Sequence, residues 1–193
     1  MGKIAINSAP FSVLVIKPDL IFKQKGHQVL GAVLKKGFDF GNRKVVHKTL
    51  DIEQAKLFYP FDEVWGKKIG GKLKSAYNEL SLSCIELFNT ENDVELGKIV
   101  IGWVWRYITS GPITAVPVYN KERNEWVINQ LKDTVGDTDP SEANEKTLRA
   151  LFCPGESLLL ANKSQRAIEN GIHCSASISD ALREAEALGF TSH

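Results

Sequence analysis

The sequence has few cysteines, almost no net charge and no long hydrophobic run, and each of these shortages excludes a class of protein. Its three cysteines, Cys84, Cys153 and Cys174, lie far apart and form no CxxC pair. This argues against a disulfide framework and against a zinc knuckle. The formal net charge is only +1 over 193 residues, so any binding of phosphate must come from a local site rather than from a charged surface.

No segment has the composition of a targeting or membrane element. Residues 1–10 lack the apolar stretch of a signal peptide, and no apolar run approaches the length of a membrane span. We therefore expect no membrane association, and the cysteine usage fits a reducing, cytoplasmic compartment best. Hydrophobic residues make up 43% and charged residues 24% of the chain, a profile typical of a globular protein with a sizeable core.

Four short apolar segments are predicted to be strands. They cover residues 11–16, 38–46, 113–119 and 171–174. Because Pro117 cannot donate to a sheet ladder, we expect the third of these strands to end there or to lie at a sheet edge.

Helices are predicted between these strands. The first has Val29, Leu30, Val33 and Leu34 as its apolar stripe and ends just before Gly37. The last has apolar residues at spacings of three and four, as an amphipathic helix requires. The remaining connection over residues 136–166 is long and mostly polar. The other predicted helices cover residues 51–58, 99–108, 122–134, 141–148 and 178–188, the last being the amphipathic one.

Residues 61–98 are interpreted as an insertion with some helix. Within this stretch, Gly66 to Lys72 has the spacing of a GxxxxGK phosphate-binding loop. The segment lacks the final Ser or Thr and does not follow a clear strand, so we predict a flexible basic loop instead.

The order of these elements predicts an α+β fold. Helices divided between the strands in this way favour a ferredoxin-like antiparallel sheet, βαββαβ, with helices on one face and additional helices. The sequence contains no internal repeat and no low-complexity segment. We therefore expect residues 1–193 to form a single domain.

His173 is the most informative single residue. It follows a short predicted strand and directly precedes the last helix. In such a position one ring nitrogen can stay exposed while a neighbour orients the other, which suits a nucleophile. From this segment alone, a surface histidine near a helix start is the simpler interpretation.

Three blocks of the sequence together resemble nucleoside diphosphate kinases. Their order is that of the family, and the spacing differs only at two insertions, at about residues 61–98 and 153–169. The chain is therefore identified as a divergent member of the family with a short C-terminus. The blocks are Val15-Ile-Lys17-Pro-Asp19 with the following helix and Lys36-Gly37-Phe38; Tyr107-Ile-Thr-Ser110-Gly111-Pro112; and Gly136-Asp-Thr138-Asp139-Pro140 with Thr147-Leu-Arg149, Asn170-Gly-Ile-His173-Cys-Ser175 and Glu184.

The resemblance implies a ping-pong phosphotransfer through a phosphohistidine. His173 would take the terminal phosphate of a nucleoside triphosphate and pass it to a nucleoside diphosphate. Glu184 would accept a hydrogen bond from the other ring nitrogen, and Ser175 would support that pair. Each residue of the implied site also has an ordinary structural interpretation, such as a solvated lysine or a turn residue, but their joint order favours the functional one. The implied nucleotide-binding residues are Lys17, Tyr59, Lys132, Thr138, Arg149 and Asn170.

The family also implies a cofactor and partners. Mg²⁺ would be bound mainly through the nucleotide phosphates, without a cage of carboxylates. Nucleoside di- and triphosphates are the implied partners, and a homo-oligomer is expected. Nucleic acid is the least favoured ligand, because the chain has no basic stripe.

Several departures from the family pattern leave an alternative open. Lys132 stands where the family has an arginine, Cys174 replaces a glycine, and Ala176 replaces an aspartate. The base-stacking aromatic of the family is missing, and Trp103 or Trp65 is a candidate substitute. With the two insertions, these changes keep open a nucleotide-binding or regulatory relative with weak or absent phosphotransfer.

Overall fold

A computed structural model describes residues 4–6, 9–41 and 45–192. The strands are β1 (Ile4–Ile6), β2 (Ser12–Ile16), β3 (Phe38–Asp39), β4 (Val46–Thr49), β5 (Pro112–Asn120), β6 (Ile172–Cys174) and β7 (Phe190–Ser192). The helices are α1 (Pro18–Phe22), α2 (Gly26–Lys35), α3 (Ile52–Phe58), α4 (Glu63–Glu79), α5 (Cys84–Phe88), α6 (Asp93–Ile108), α7 (Val127–Val135), α8 (Leu148–Phe152), α9 (Leu158–Lys163) and α10 (Ile178–Leu188).

An antiparallel sheet forms the centre of the fold, as the sequence predicts. Its strand order is β3–β5–β2–β6, and β4 also pairs with β5. All pairings in this sheet are antiparallel. A second, two-stranded parallel pairing of β1 with β7 was not predicted. Every residue of β2 is buried, so the main core surrounds this strand, which runs between β5 and β6.

Pro117 lies inside β5, so the prediction that the strand ends there is wrong, whereas the alternative that it lies at a sheet edge holds locally among the described residues. It pairs with Val13 of β2, whose backbone N–H and C=O both bond to Ser175 on the opposite side. The Pro117 nitrogen therefore points away from β2. Along β5, Pro117 lies between the residues that pair with β4 and those that pair with β3. Among the described residues no strand pairs with β5 at that point, so the missing donor interrupts no ladder.

Two other predicted elements are shorter than expected. The strand predicted at 38–46 consists of β3 and the start of β4, and residues 42–44 lie outside the described residues. The helix predicted from 122 begins only at Val127. Before it, the side chains of Asn120 and Asn124 accept bonds from the backbone N–H groups of Asn124 and Trp126, both at 3.1 Å, which favours a turn over a helix.

The helix predicted at 141–148 is wrong. Residues 141–147 form turns, and the connection carries α8 and α9 instead. The cause is the buried carboxylate of Asp139, which accepts bonds from the backbone N–H groups of Ser141 at 3.0 Å and Leu158 at 2.9 Å. These bonds hold the turn against the start of α9.

The predicted flexible loop at Gly66 to Lys72 is also wrong, because these residues lie inside α4. A Cβ added to Gly70 would overlap the backbone of Asp93, and one added to Gly97 would overlap the backbone of Gly66. The glycines therefore allow the backbones of α4 and α6 to touch. Among the described residues, no helix combines the length and the apolar character needed to cross a membrane.

A second group of buried residues, here named the satellite cluster, joins α4, α5 and α6 to the segment before β6. Its members are Leu73, Tyr77, Cys84, Leu96, Trp103 and Ala167. The Tyr77 hydroxyl also donates to the carbonyl of Asn162 at 2.6 Å. The two segments expected to be insertions therefore pack against each other. Because Trp103 is buried in this cluster, its side chain is not available as a substitute for the base-stacking aromatic. Trp65 is half-buried and packs edge-on against Phe61.

Candidate active site

The central sheet brings His173 to the edge of a cleft. Within β6, His173 pairs with Val15 of β2, while the backbone N–H of Lys17 donates to the carbonyl of Gly171 at 2.8 Å. Gly171 has a φ of 64°. A Cβ at this position would overlap Leu20 and lie 2.6 Å from Cys153 Sγ. The backbone that delivers His173 therefore depends on glycine two residues before it.

We expect Gly171→Ala to lower the free energy of unfolding by roughly 2–4 kcal/mol, from backbone strain and overpacking together. The matched control is Gly189→Ala at the end of α10, where φ is 80° but a Cβ would meet nothing within 4 Å. That variant tests the backbone strain alone and should cost about 1 kcal/mol. Urea unfolding of both variants measures the difference, and equal losses would contradict the packing argument.

The His173 ring is held from both of its nitrogens. Nε2 lies 2.9 Å from Glu184 Oε1, although its N–H is not aligned for a hydrogen bond to that oxygen. Nδ1 lies 3.1 Å from the hydroxyl of Tyr59. Because a carboxylate can only accept, Nε2 carries the proton, and Nδ1 then accepts from Tyr59 with its lone pair. The ring of Phe58 packs edge-on at 4.9 Å.

Glu184 is positioned by α10 and by β6. The helix begins after Ser177, whose side chain accepts from the backbone N–H of Asp180, and it places Glu184 on the buried face with only 2% of its surface exposed. The hydroxyl of Ser175 donates to Glu184 Oε2 at 2.6 Å and accepts from the backbone N–H of Val13 at 2.9 Å. Both carboxylate oxygens therefore have partners, and the sheet fixes their orientation.

Lys17, Asn170 and Thr138 form one hydrogen-bonded chain. Lys17 Nζ donates to Asn170 Oδ1 at 2.7 Å, and Asn170 Nδ2 donates to the backbone carbonyl of Thr138 at 2.7 Å. Burial lowers the pKa of Lys17 to about 7, and the positive charge of Arg149 acts in the same direction. A buried ammonium with so low a pKa gains much from an anionic ligand.

Arg149 is fixed by backbone carbonyls. Its Nε and one terminal nitrogen donate to the carbonyl of Ile172 at 3.1 and 2.8 Å, and the other terminal nitrogen donates to the carbonyl of Gly136 at 2.8 Å. Because the guanidinium has five N–H groups, two remain for a ligand. Burial lowers the pKa of Arg149, and the fixed planar group suits phosphate oxygens.

An open cleft of about 580 Å³ collects four of the nine predicted site residues, His173, Arg149, Thr138 and Lys132. The other five lie behind its wall: Glu184 and Ser175 support the histidine, Tyr59 caps it, and Lys17 and Asn170 lead to Thr138.

Cys174 and Ala176, which depart from the family pattern, also line the cleft. Burial raises the pKa of the Cys174 thiol to about 11, so it is protonated and unreactive at neutral pH. The side chain therefore forms part of the cleft wall, next to His173 in sequence. No three His, Cys, Asp or Glu side chains in the described ranges are grouped so that they could hold a metal ion.

Sequence reasoning gave no role to two residues beside this site, the buried Asp19 and the half-buried Tyr107. The hydroxyl of Tyr107 donates to Asp19 Oδ1, and the Tyr107 ring centre lies 5.4 Å from Lys17 Nζ. Both residues stand inside the sequence blocks that carry the family resemblance. That position was the only signal, because the sequence does not reveal that the carboxylate is buried.

The chain is similar to known proteins of one family. The family model described as nucleoside diphosphate kinase matches residues 94–192, which include His173. A curated nucleoside diphosphate kinase from Pyrobaculum aerophilum is 32% identical over 173 residues, which cover 90% of this chain and 91% of that protein.

Solved structures give the same fold. The crystal structure of an NDP kinase from Pyrobaculum aerophilum superposes with a TM-score of 0.83 at 27% identity, covering 93% of this chain and 94% of that one. A transition-state mimic of the Borrelia burgdorferi enzyme with bound vanadate and ADP has a TM-score of 0.66 at 19% identity, covering 92% and 84%. The Aquifex aeolicus enzyme has a TM-score of 0.58 at 18% identity, covering 94% and 95%. The last two support the fold alone.

Proposed function

The chain belongs to the nucleoside diphosphate kinase family and is a phosphotransferase of that class, and from this premise we propose that His173 carries the transferred phosphate as phosphohistidine. One observation supports this above all others. Glu184 faces Nε2, so the lone pair of Nδ1 lies on the other side of the ring, and the same histidine lines the cleft with Arg149. A neutral imidazole held in one tautomer is a nucleophile that needs no separate base.

The reaction has two half-reactions. In the first, the Nδ1 lone pair attacks the terminal phosphorus of a nucleoside triphosphate, so that an N–P bond forms and the bond to the bridging oxygen breaks. The nucleoside diphosphate leaves with the electron pair of that broken bond. In the second, a terminal phosphate oxygen of another nucleoside diphosphate attacks the phosphorus, and the N–P electron pair returns to Nδ1.

The other site residues position and neutralise the moving phosphoryl group. The group replaces the hydrogen bond between Nδ1 and Tyr59, whose hydroxyl is then free to donate to a phosphoryl oxygen. Arg149 offers its two remaining N–H groups, and the ammonium of Lys17 supplies charge from behind the cleft wall, through Asn170 and Thr138. Thr138 and Lys132 line the same cleft and extend these contacts toward the rest of the nucleotide. Phosphoryl transfer depends mostly on such positioning and charge neutralisation.

Mg²⁺ belongs to this proposal as an ion that arrives with the nucleotide. The described residues offer it no cluster of protein ligands, and this donor set fits an ion whose ligands are phosphate oxygens and water. When bound, the ion supplies neutralisation of the phosphate charges. The partners are nucleoside di- and triphosphates. We assign the protein to the cytoplasm and expect a homo-oligomer. The chain is proposed to be a single domain, with insertions at about 61–98 and 153–169.

The test is transfer in two separable steps. The wild-type protein is incubated with γ-labelled ATP and Mg²⁺, then freed of nucleotide and given unlabelled GDP. We expect an acid-labile, base-stable label on the peptide that contains His173, and its quantitative release as GTP. A folded protein that binds nucleotide by calorimetry but takes no label would instead support the regulatory alternative.

Binding of ADP is also expected to take up protons at alkaline pH. Because the pKa of Lys17 is about 7 in the free protein, this side chain is mostly neutral at pH 8, and a polyphosphate stabilises its charged form. ADP binding is therefore expected to take up roughly 0.9 proton per protein at pH 8 and roughly 0.1 proton at pH 6. Calorimetry in buffers of different ionisation enthalpy measures it. Uptake that persists at pH 8 in Lys17→Met would assign the proton to another group.

A further inference from the structure

We propose that Asp19 and Tyr107 form a positioning pair that keeps the ammonium of Lys17 charged and aimed at Asn170. This inference rests on the proposed function, because it assumes that the charge of Lys17 serves the phosphoryl group. Neither Asp19 nor Tyr107 lines the cleft, so the pair acts on the reaction only through Lys17.

The carboxylate of Asp19 is buried and depends on Tyr107. The Tyr107 hydroxyl donates to Asp19 Oδ1, while Oδ2 has no hydrogen-bond partner. Burial raises the pKa of the Asp19 carboxyl, and the hydrogen bond from Tyr107 and the charge of Lys17 act against this effect. Leu20 contributes a backbone hydrogen bond that also favours the charged form, but a buried carboxylate with an unpaired oxygen is costly unless a nearby cation gains from it.

Lys17 is that cation. Asp19 raises the pKa of Lys17, whereas burial and the positive charge of Arg149 lower it. Two thiols also face Lys17, but burial raises the pKa of Cys153 to about 12 and that of Cys174 to about 11. Both thiols are therefore uncharged at neutral pH. Among the described groups that shift the pKa of Lys17, only Asp19 is an anion. Its negative charge raises that pKa, whereas the positive charge of Arg149 lowers it.

Tyr107 adds a geometric restraint. Its ring centre is 5.4 Å from Lys17 Nζ, within the range at which an aromatic face attracts an ammonium. The residue lies in the last turn of α6, and its ring also packs against the satellite cluster. The ammonium is thus held between this ring and the amide oxygen of Asn170 at 2.7 Å. The side chain of Tyr107 therefore contacts both the satellite cluster, which joins the two insertions, and Lys17 of the catalytic pocket.

The experiment uses Asp19→Asn and Tyr107→Phe in the full chain. Asp19→Asn keeps the shape of the side chain and still accepts the hydrogen bond from Tyr107, but it removes the negative charge. Tyr107→Phe keeps the ring over Lys17 but removes the hydrogen bond to Asp19. Tyr77→Phe is the matched control, because it loses a buried tyrosine hydrogen bond within the satellite cluster itself, far in sequence from Lys17. The readouts are the pH profile of kcat/KM and the titration of Lys17 followed by NMR of ¹³Cε-labelled lysine, assigned with Lys17→Met.

In Asp19→Asn we expect the pKa of Lys17 to fall by about one pH unit or more, the usual effect of losing an adjacent opposite charge. The alkaline limb of kcat/KM should move to lower pH by the same amount, so that for a shift of one unit from about 7 the activity at pH 8 falls about fivefold relative to that at pH 6. Tyr107→Phe should shift both quantities in the same direction but less, and Tyr77→Phe should shift neither.

Two outcomes would overturn the inference. One is an unchanged or raised pKa of Lys17 in Asp19→Asn, and the other is an equal loss of activity at every pH, which a merely structural role would give. The NMR titration needs no catalysis, so it separates this failure from a failure of the proposed function. A wild-type protein without label on His173 would refute the function even if the pKa of Lys17 shifted as expected.

Discussion

Replacing His173 by alanine is expected to abolish covalent labelling and to lower phosphate exchange by at least about 10³-fold, as the loss of a nucleophile does. Alanine removes the ring whose Nδ1 lies 3.1 Å from the Tyr59 hydroxyl and which lines the cleft. The neighbours Glu184 and Ser175 keep their mutual hydrogen bond of 2.6 Å, so the pocket should keep its shape. Nucleotide binding through Arg149 and Lys17 should then persist.

The measurements are the label retained on protein after incubation with γ-labelled ATP and the steady-state rate of ATP–GDP exchange. His27→Ala is the matched control, because His27 is exposed on α2 and should change neither. Residual labelling of a folded His173→Ala protein, at any other residue, would refute the assignment of the nucleophile.

Glu184→Gln is expected to lower kcat on the order of 10²-fold with little change in KM, because it disturbs the orientation of the nucleophile and not the contacts to nucleotide. The amide can present either its oxygen or its NH₂ group to His173. Presenting NH₂ favours the tautomer with the proton on Nδ1, which has no lone pair for attack. The hydroxyl of Ser175 would compete for the amide oxygen, and this competition favours the unproductive arrangement.

The rate of the single-turnover phosphorylation step, measured by rapid quench, is the appropriate readout for Glu184→Gln. Glu186→Gln is the matched control, since Glu186 lies on the same helix but is exposed. A Glu184→Gln protein that is phosphorylated at the wild-type rate would show that the ring needs no carboxylate partner. A loss confined to KM would place Glu184 in nucleotide binding instead.

Local sequence patterns predicted the elements that carry the site. The strand β2, the closing helix α10 and the helix at 52–58 were all anticipated, because each has a continuous apolar run, a clear cap or a clear apolar period. The predictions failed where side chains outside the pattern decide the structure. Asp139 prevents a helix at 141–148 by binding Leu158, and Asn120 and Asn124 delay the start of α7.

The sequence alone determined the family, the order of the four predicted strands of the central sheet, and the candidate residues for phosphotransfer, because these depend on local patterns and on motif order. Only the tertiary structure decided that Pro117 is tolerated inside the sheet, that Gly70 and Gly97 join two helices rather than interrupt them, and that Asp19 and Tyr107 surround Lys17. Those outcomes depend on which groups meet across long stretches of chain, as Tyr107 meets Asp19, and on how far they are removed from water. Burial, which sets the pKa of Lys17, exists only once the chain has folded.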